Sequence, residues 1–281
     1  MSSAVVERLP VTRSDRLLAN RATGCIKLSL GAKDGITQRT SVHEAGSLRV
    51  RFPTAAPEML EAVLINTAGG MTGGDDFSIG LSLDAGAQLL AGTAAAEKIY
   101  RSTGADATFA LAIDATAGSR CIWLPQETIL FDRARLSRRI DVNLSADATL
   151  LMAEAIVFGR SAMGEAVEQG SLTDRWRIRR DGQLIFAENV HLDGAIAGKL
   201  AQPAIANGGV AIATVLAIPG DEQMISAVRD CGESFTGEVG ISAWNGIAVA
   251  RLCAPDGATL RHDLALLLSS LDVTMPRLWL Q

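Results

Sequence analysis

The sequence predicts an all-β architecture, and three observations predict it. Apolar residues recur at every second position along much of the chain, glycine-containing turn dipeptides separate these runs, and few segments carry helical spacing. Phe77, Ile79, Leu81 and Leu83 alternate with Ser78, Gly80, Ser82 and Asp84. Phe109, Leu111 and Ile113 alternate with Thr108, Ala110 and Ala112. Leu136, Ile140, Val142 and Leu144 share one parity against Ser137, Arg139, Asp141 and Asn143, and Trp176 and Ile178 alternate with Arg175, Arg177 and Arg179. Each run reads as a strand with one buried face, because successive side chains on a strand point to opposite sides.

Turns punctuate these strands. Asp181-Gly182 and Asn245-Gly246 each stand between two apolar runs. Both pairs accept the positive φ that two-residue hairpins require. Val210 to Ile218 reads as a further strand closed by Pro219-Gly220. Helical spacing is confined to Asp221–Arg229, which opens with acids, and to Leu-rich Arg261–Leu271, with a start near Asp256-Gly257 and a stop before Pro276. Roughly fifteen strand candidates against two helices make an all-β chain. No linker or composition shift divides it, so it reads as one domain.

Composition sets the function classes. Of 281 residues, 48 % are hydrophobic but 4 % aromatic, and mean hydropathy is +0.22. No stretch approaches the ~20 apolar residues of a membrane span, so the surplus is expected in a core or on a surface meant for another protein. A net charge of −5 argues against nucleic acid as the main partner. The N-terminus shows no apolar secretory core, which predicts a cytoplasmic protein. Cys25, Cys121, Cys231 and Cys253 form no C-x-x-C pair, and reduced, buried, inert thiols are expected. His43, His191 and His262 lack metal-ligand spacing, so no tight Cys/His cage is encoded locally.

Several stretches break the strand grammar. Gly69, Gly70, Gly73 and Gly74 crowd the run from Asn66 to Asp76. Gly69 and Gly74 have the spacing of a phosphate loop, but Asp75 and Asp76 stand where Lys and Ser/Thr belong, and two carboxylates repel a phosphate. That leaves a tight loop, or a loop presenting Asp75 to a cation or partner. Glu97-Lys98-Ile99-Tyr100-Arg101-Ser102 reads alone as a mixed-charge strand end holding the only tyrosine. In Trp123–Asp132, the polar Gln126, Glu127 and Asp132 interrupt an apolar run; they are either paired or exposed at a working surface. Glu154 lies alone in Leu150–Phe158, where desolvation raises a carboxyl pKa. It either pairs, with Arg160 as the candidate, or lines a polar passage. Glu188 repeats this situation in Ile185–Val190. Gly159, Arg160, Gly164 and Glu165 frame a second turn, which is not a nucleophile elbow, and Ser161 has no histidine at a suggestive distance.

As an ordered set these signals are specific. Gly69-Gly70-Met71-Thr72-Gly73-Gly74-Asp75, then Lys98–Ser102, then Trp123–Phe131, then Phe158–Glu165, and the ending Met275-Pro276-Arg277-Leu278-Trp279, resemble the UreD (UreH) family of urease accessory proteins. The resemblance runs from about Thr23 to the end, leaving 1–22 as a variable extension before a single 23–281 domain. Ala68 and Ala94–Ala96 stand where Pro or Gly is expected, and Glu154 where Asp also occurs; charge and approximate size are kept.

The resemblance implies a helicoid, β-helix-like stack of short strands with two helices and no catalytic chemistry. It implies a scaffold that binds the urease apoprotein and UreF, and through UreF the GTPase UreG. It further implies a passage for nickel(II), bound in transit and never as a tight cofactor, with acids at Asp75, Glu154 and Glu188. Scattered carboxylates suit such a route, since oxygen ligands release a cation that a Cys/His cage would trap. Two other readings compete. One is an adaptor whose acids serve the fold alone. The other is a two-carboxylate hydrolase drawing on Asp75, Glu127, Asp132 and Glu154, which the scarcity of stacking aromatics disfavours.

Overall fold

A computed structural model describes residues 21–53, 59–160 and 163–279. Most of the expected extension, residues 1–20, and Ser161 lie outside the described residues.

The chain winds between two sheets. β4 (Leu60–Asn66) lies in one sheet, β5 (Asp76–Leu83) in the other, β6 (Gln88–Thr93) back in the first and β8 (Ala107–Ala115) in the second. The alternation continues through β9 (Arg120–Trp123), β11 (Arg135–Leu144), β12 (Thr149–Phe158) and β13 (Gly170–Arg180). Each strand therefore runs parallel to the one a full coil earlier: β5 beside β8, β8 beside β11, β11 beside β13, and β6 beside β9 beside β12. This is a β-solenoid-like stack, and the all-β reading holds. Two short strands, β7 (Glu97–Ile99) and β10 (Thr128–Leu130), pair with each other and tie into β12.

Antiparallel strands close both ends. β1 (Thr23–Lys33) pairs with β5 and turns into β2 (Ile36–Gly46), while β3 (Leu48–Arg51) pairs with β4. At the far end β13 turns into β14 (Gln183–Gly194), and β12 is followed by β15 (Ala211–Ile218), β17 (Ile247–Ala254) and β16 (Glu238–Trp244). The expected hairpins form: Asp181 and Gly182 have φ 48° and 78°, Asn245 and Gly246 50° and 75°. Asp34-Gly35 builds a third of the same kind, with the same dipeptide signature that marks the other two.

Three α-helices lie among the described residues, one more than the pattern indicated. The five-residue α1 (Ile196–Leu200) is too short for helical periodicity to mark. α2 (Glu222–Asp230) and α3 (Gly257–Ser270) are the expected pair. The carboxylates of Asp221 and Asp256 cap them, accepting from the Met224 and Thr259 amides at 3.0 and 2.8 Å.

Stacked coils bring equivalent positions into rows. Ile26, Ile79, Leu111, Ile140 and Trp176 stand side by side across five strands, and all are buried between the sheets. A second core lies on the outer face of the other sheet, where Ala153, Val157, Val215 and Leu252 meet Leu260, Leu264, Leu267 and Leu268 of α3. Because that sheet carries apolar residues on both faces, its strands lose the simple alternation. Two cores also account for much of the high hydropathy. The four cysteines are free, but burial is complete only for Cys121; Cys25, Cys231 and Cys253 are half-buried, because Cys25 and Cys253 take the opposite parity from the buried Ile26 and Leu252 and Cys231 caps the C-terminus of α2. Burial pushes the Cys121 thiol up to about 12.

Candidate functional site

The row beside the apolar one breaks its pattern. Gly24, Phe77 and Phe109 are followed in register by Arg138 and Asp174. Both charged side chains sit on the interior parity of their strands, next to Leu136 and Ile140 and to Leu172 and Trp176. Arg138 and Asp174 are 4 % and 3 % exposed. From the opposite sheet Glu154, 5 % exposed, completes the group.

Every polar atom in this cluster is matched. Arg138 Nε and Nη2 donate to the two Asp174 oxygens at 2.9 and 2.6 Å, and Nη1 donates to Glu154. The Trp123 indole N–H donates to Glu154 at 2.7 Å, and the Trp176 indole N–H to Asp174 at 3.0 Å. Two carboxylates share one guanidinium, so burial raises the Glu154 carboxyl above its ordinary range; Arg138 and Trp123 oppose that shift, and Asp174 adds to it. Burial works against the charged Arg138, but Asp174 and Glu154 outweigh it and hold the guanidinium above its usual value. The partner of Glu154 is thus Arg138 and not Arg160, which lies on a turn at the sheet end and pairs with Glu165 instead.

A series of polar residues leads from the cluster outward to solvent, where the Arg251 side chain is 54 % exposed. Glu154 stands opposite Thr214, which stands opposite Arg251. Arg251 donates to Thr214 Oγ1 at 3.1 Å and to the Glu188 carboxylate on β14. Thr214 and Arg251 also line a cavity of about 510 Å³ between β14, β15, β16 and β17, walled by Val190, Leu192, Ile212 and Val239. On the other side of the cluster, Arg138 and Glu154 line a cavity of about 40 Å³ with Met71, Thr93, Glu97 and Gln126. A further cavity of about 120 Å³ lies under the Asn66–Gly70 loop and also touches Thr93, Glu97 and Phe109. Each is large enough for water.

The remaining singled-out residues fall into two groups. In the first, Asp75 folds back on its own loop, accepting from the Ala22 and Thr72 amides at 2.9 and 2.8 Å. The glycines allow close approach: a Cβ on Gly70 would lie 2.7 Å from the Lys98 carbonyl oxygen, and one on Gly73 2.3 Å from that of Ala105. The Tyr100 hydroxyl donates to the Gly69 carbonyl at 3.0 Å, and its ring meets Phe131 edge-on at 5.0 Å. Arg160 lies 4.2 Å over the other side of Phe131 and grips Glu165 with two hydrogen bonds. Gly74, Arg101, Gly159 and Gly164 shape the surrounding turns; Thr72 donates to the Arg101 carbonyl.

The second group anchors the C-terminus. Arg261 on α3 donates to Gln126, Glu127 and the carbonyls of Leu278 and Trp279, and lies 5.4 Å over the Trp279 ring. The Trp279 indole N–H donates to the Leu124 carbonyl at 3.1 Å. Asp132 accepts from the Gln169 amide at 3.0 Å. Asp75, Glu127, Asp132 and Glu154 thus have separate partners and do not converge on one cleft.

Arg138, Asp174 and Arg261 escaped the sequence reading, although a charge on the apolar parity of a strand was visible at the first two. Among the described residues, no three of His, Cys, Asp and Glu gather where they could hold a metal ion, and no helix is long and apolar enough to cross a membrane.

The chain is similar to known proteins over nearly its whole length. The family model described as UreD urease accessory protein matches residues 22–280. The urease accessory protein UreD of Bradyrhizobium diazoefficiens is 53 % identical over 262 residues, covering 93 % of this chain and 95 % of that protein. UreD 3 of Bradyrhizobium sp. BTAi1 is 51 % identical over 268 residues, 95 % and 96 % of the two chains. UreD of Rhodopseudomonas palustris BisA53 is 51 % identical over 277 residues, 98 % and 97 % of the two chains.

Proposed function

The chain belongs to the UreD family of urease accessory proteins and acts in urease maturation, and from that premise we propose that it is a non-catalytic scaffold of the nickel-delivery complex. It binds the urease apoprotein and UreF, and UreG through UreF, in the cytoplasm. Residues 23–281 act as a single domain after a variable extension. Nickel(II) is its passing cargo and no cofactor stays bound.

The observation that supports a passage is the series of polar residues that leads from the buried Arg138–Glu154–Asp174 cluster out to the exposed Arg251. Glu154, Thr214, Arg251 and Glu188 succeed one another toward the large cavity at the end of the stack. Burying Arg138, Asp174 and Glu154 in a core has a cost that a purely structural interior avoids with apolar residues. Asp75, Glu154 and Glu188 are the acids assigned to the route. Oxygen ligands spaced along it bind a borderline cation and release it.

A second reading, an adaptor without metal contact, is favoured by one specific observation. Glu154 and Glu188 are each already paired with an arginine, and both Asp75 oxygens accept backbone amides. Urease activation in vitro with all accessory partners separates the two, comparing wild type with Glu154→Gln/Glu188→Gln while UreF and apo-urease pull-down is followed. Lost activation with intact complexes supports the passage. Full activation leaves the adaptor.

A further inference from the structure

The outer faces of the two sheets differ. On the second sheet α2 packs against β16 and α3 against β15 and β17, while α1 lies beside β14 at the edge of the first. Along β5, β8 and β11 of the first sheet every outward position is half-buried or exposed. Small residues fill the middle of this face: Ser78 and Gly80 on β5 stand beside Ala110 and Ala112 on β8. In the same rows the character then changes. Ala110 is followed by Arg139 and Arg175, and Ala112 by Asp141 and Arg177. One row on, Asn143 stands beside Arg179.

The outward positions of β11 and β13 hold five arginines, at 135, 139, 175, 177 and 179, and one acid, Asp141. Asp141 is shared by Arg139 at 3.0 Å and Arg179 at 3.6 Å, and Arg135 holds Asp106. Arg177 donates to the carbonyls of Trp176 and Glu188, which carry no compensating charge. Arg175 has no ion pair among the described residues. Like charges side by side on neighbouring strands repel, as Arg139 and Arg175 do. A chain of net charge −5 thus gathers cations on two adjacent strands. Guanidinium groups ranked about 5 Å apart across the strands and about 7 Å along them suit paired hydrogen bonds to carboxylates.

Shape and area point to a protein. Seven strands about 4.8 Å apart and about 30 Å long offer on the order of 800 Å², one partner's share of a standard interface. A membrane surface would need apolar or aromatic side chains to enter it, and the outward positions of β11 and β13 have none. Of the two proteins a maturation scaffold holds, urease is the one that must leave once mature. A polar, charge-driven face suits such a transient partner, because lasting interfaces are more apolar and charge pairing speeds encounter more than it tightens binding.

We propose that the outer face of the first sheet, centred on Arg139, Arg175 and Arg179, docks an acidic face of the urease apoprotein, and that UreF binds elsewhere. The surface rests on the scaffold reading of the chain.

Pull-down of purified apo-urease and, separately, of purified UreF by the full chain tests it, with wild type, Arg139→Glu/Arg175→Glu/Arg179→Glu and the matching triple lysine variant. The Arg139 and Arg179 side chains are 67 % and 38 % exposed and Arg175 is exposed, so the core is untouched. The charge reversal is expected to weaken apo-urease binding by roughly tenfold or more and to leave UreF binding unchanged, with a smaller loss for the lysine variant. Equal apo-urease binding by wild type and the reversed variant overturns the assignment, and so does a loss of UreF. Wild type alone gives a check that needs no variant: its capture of apo-urease should fall steeply between about 50 mM and about 300 mM NaCl, and indifference to salt overturns the proposal. Retention of wild type but not the reversed variant on phosphatidylserine vesicles, with apo-urease binding equal, would assign the face to a membrane instead. If wild type captures neither protein, the scaffold reading falls and the surface with it.

Discussion

Arg138 on β11 and Glu154 on β12 form an ion pair across the interior that joins the two sheets, with both side chains almost wholly buried. Asp174 holds the other edge of the same guanidinium. A buried pair of this kind contributes little net stability as a unit, but losing one partner strands the others.

Arg138→Met therefore leaves two uncompensated carboxylates between the sheets. The expected loss is about 3–5 kcal/mol, read as a lower urea midpoint at unchanged slope. Arg138→Met/Glu154→Gln/Asp174→Asn removes all three charges and is expected to regain most of that loss. If Arg138→Met alone unfolds like wild type, the pair has no such role.

Stability depends on pH through Glu97. Its folded pKa is about 7 against an ordinary value of 4.5, so the folded state binds the proton more tightly. The contribution is fully present below the unfolded pKa and is lost as pH rises from 4.5 through 7. At about 1.4 kcal/mol per pH unit the loss is up to about 3 kcal/mol. Burial sets the shift, and Asn66 and Lys98 beside it oppose it only in part. Urea denaturation at pH 5 and pH 8 is expected to show a smaller pH difference for Glu97→Gln than for wild type.

Two glycines with similar φ should respond differently to alanine. Gly69 has φ +77° and open space where a Cβ would stand, whereas at Gly159, with φ +88°, a Cβ would lie 2.2 Å from the Glu165 carbonyl oxygen. Gly69→Ala is expected to cost about 1 kcal/mol, the left-handed penalty alone. Gly159→Ala adds a backbone clash and is expected to cost on the order of 3 kcal/mol. Melting temperatures compared side by side decide this, and equal shifts would contradict it.

Arg261→Ala removes the side chain that holds the Leu278 and Trp279 carbonyls and Gln126. Hydrogen exchange at the amides around Trp279 is expected to accelerate at least tenfold while the central strands keep their protection. Unchanged exchange there would mean that the Trp279 indole bond and packing suffice.

Much of the fold was legible because strands leave a local imprint. The period-two runs at Phe77–Leu83 and Leu136–Leu144 became buried interior rows, and Asp-Gly and Asn-Gly became hairpins. β12 was harder, since apolar contacts on both faces erase the alternation. The candidate site was legible only in part. Glu154 was conspicuous as a charge in an apolar run, but Arg138 and Asp174 looked like members of Arg- and Asp-rich strands. Glu97 looked like a strand end.

The sequence by itself determined the strand and turn grammar, the capped helices and the ordered motifs that carry the family resemblance. Those are local properties, set by side-chain periodicity and by what Gly, Asn and Asp permit in the backbone. The tertiary structure decided which charges meet. Arg138 and Glu154 are 16 residues apart, Arg138 and Asp174 36, and Arg251 reaches Glu188 across 63. A period-two pattern says which face a side chain takes but not which coil lies beside it or opposite it. That register is fixed by the winding of the whole solenoid, and it alone brings Arg138 to Glu154 and Asp174, and Arg251 to Glu188.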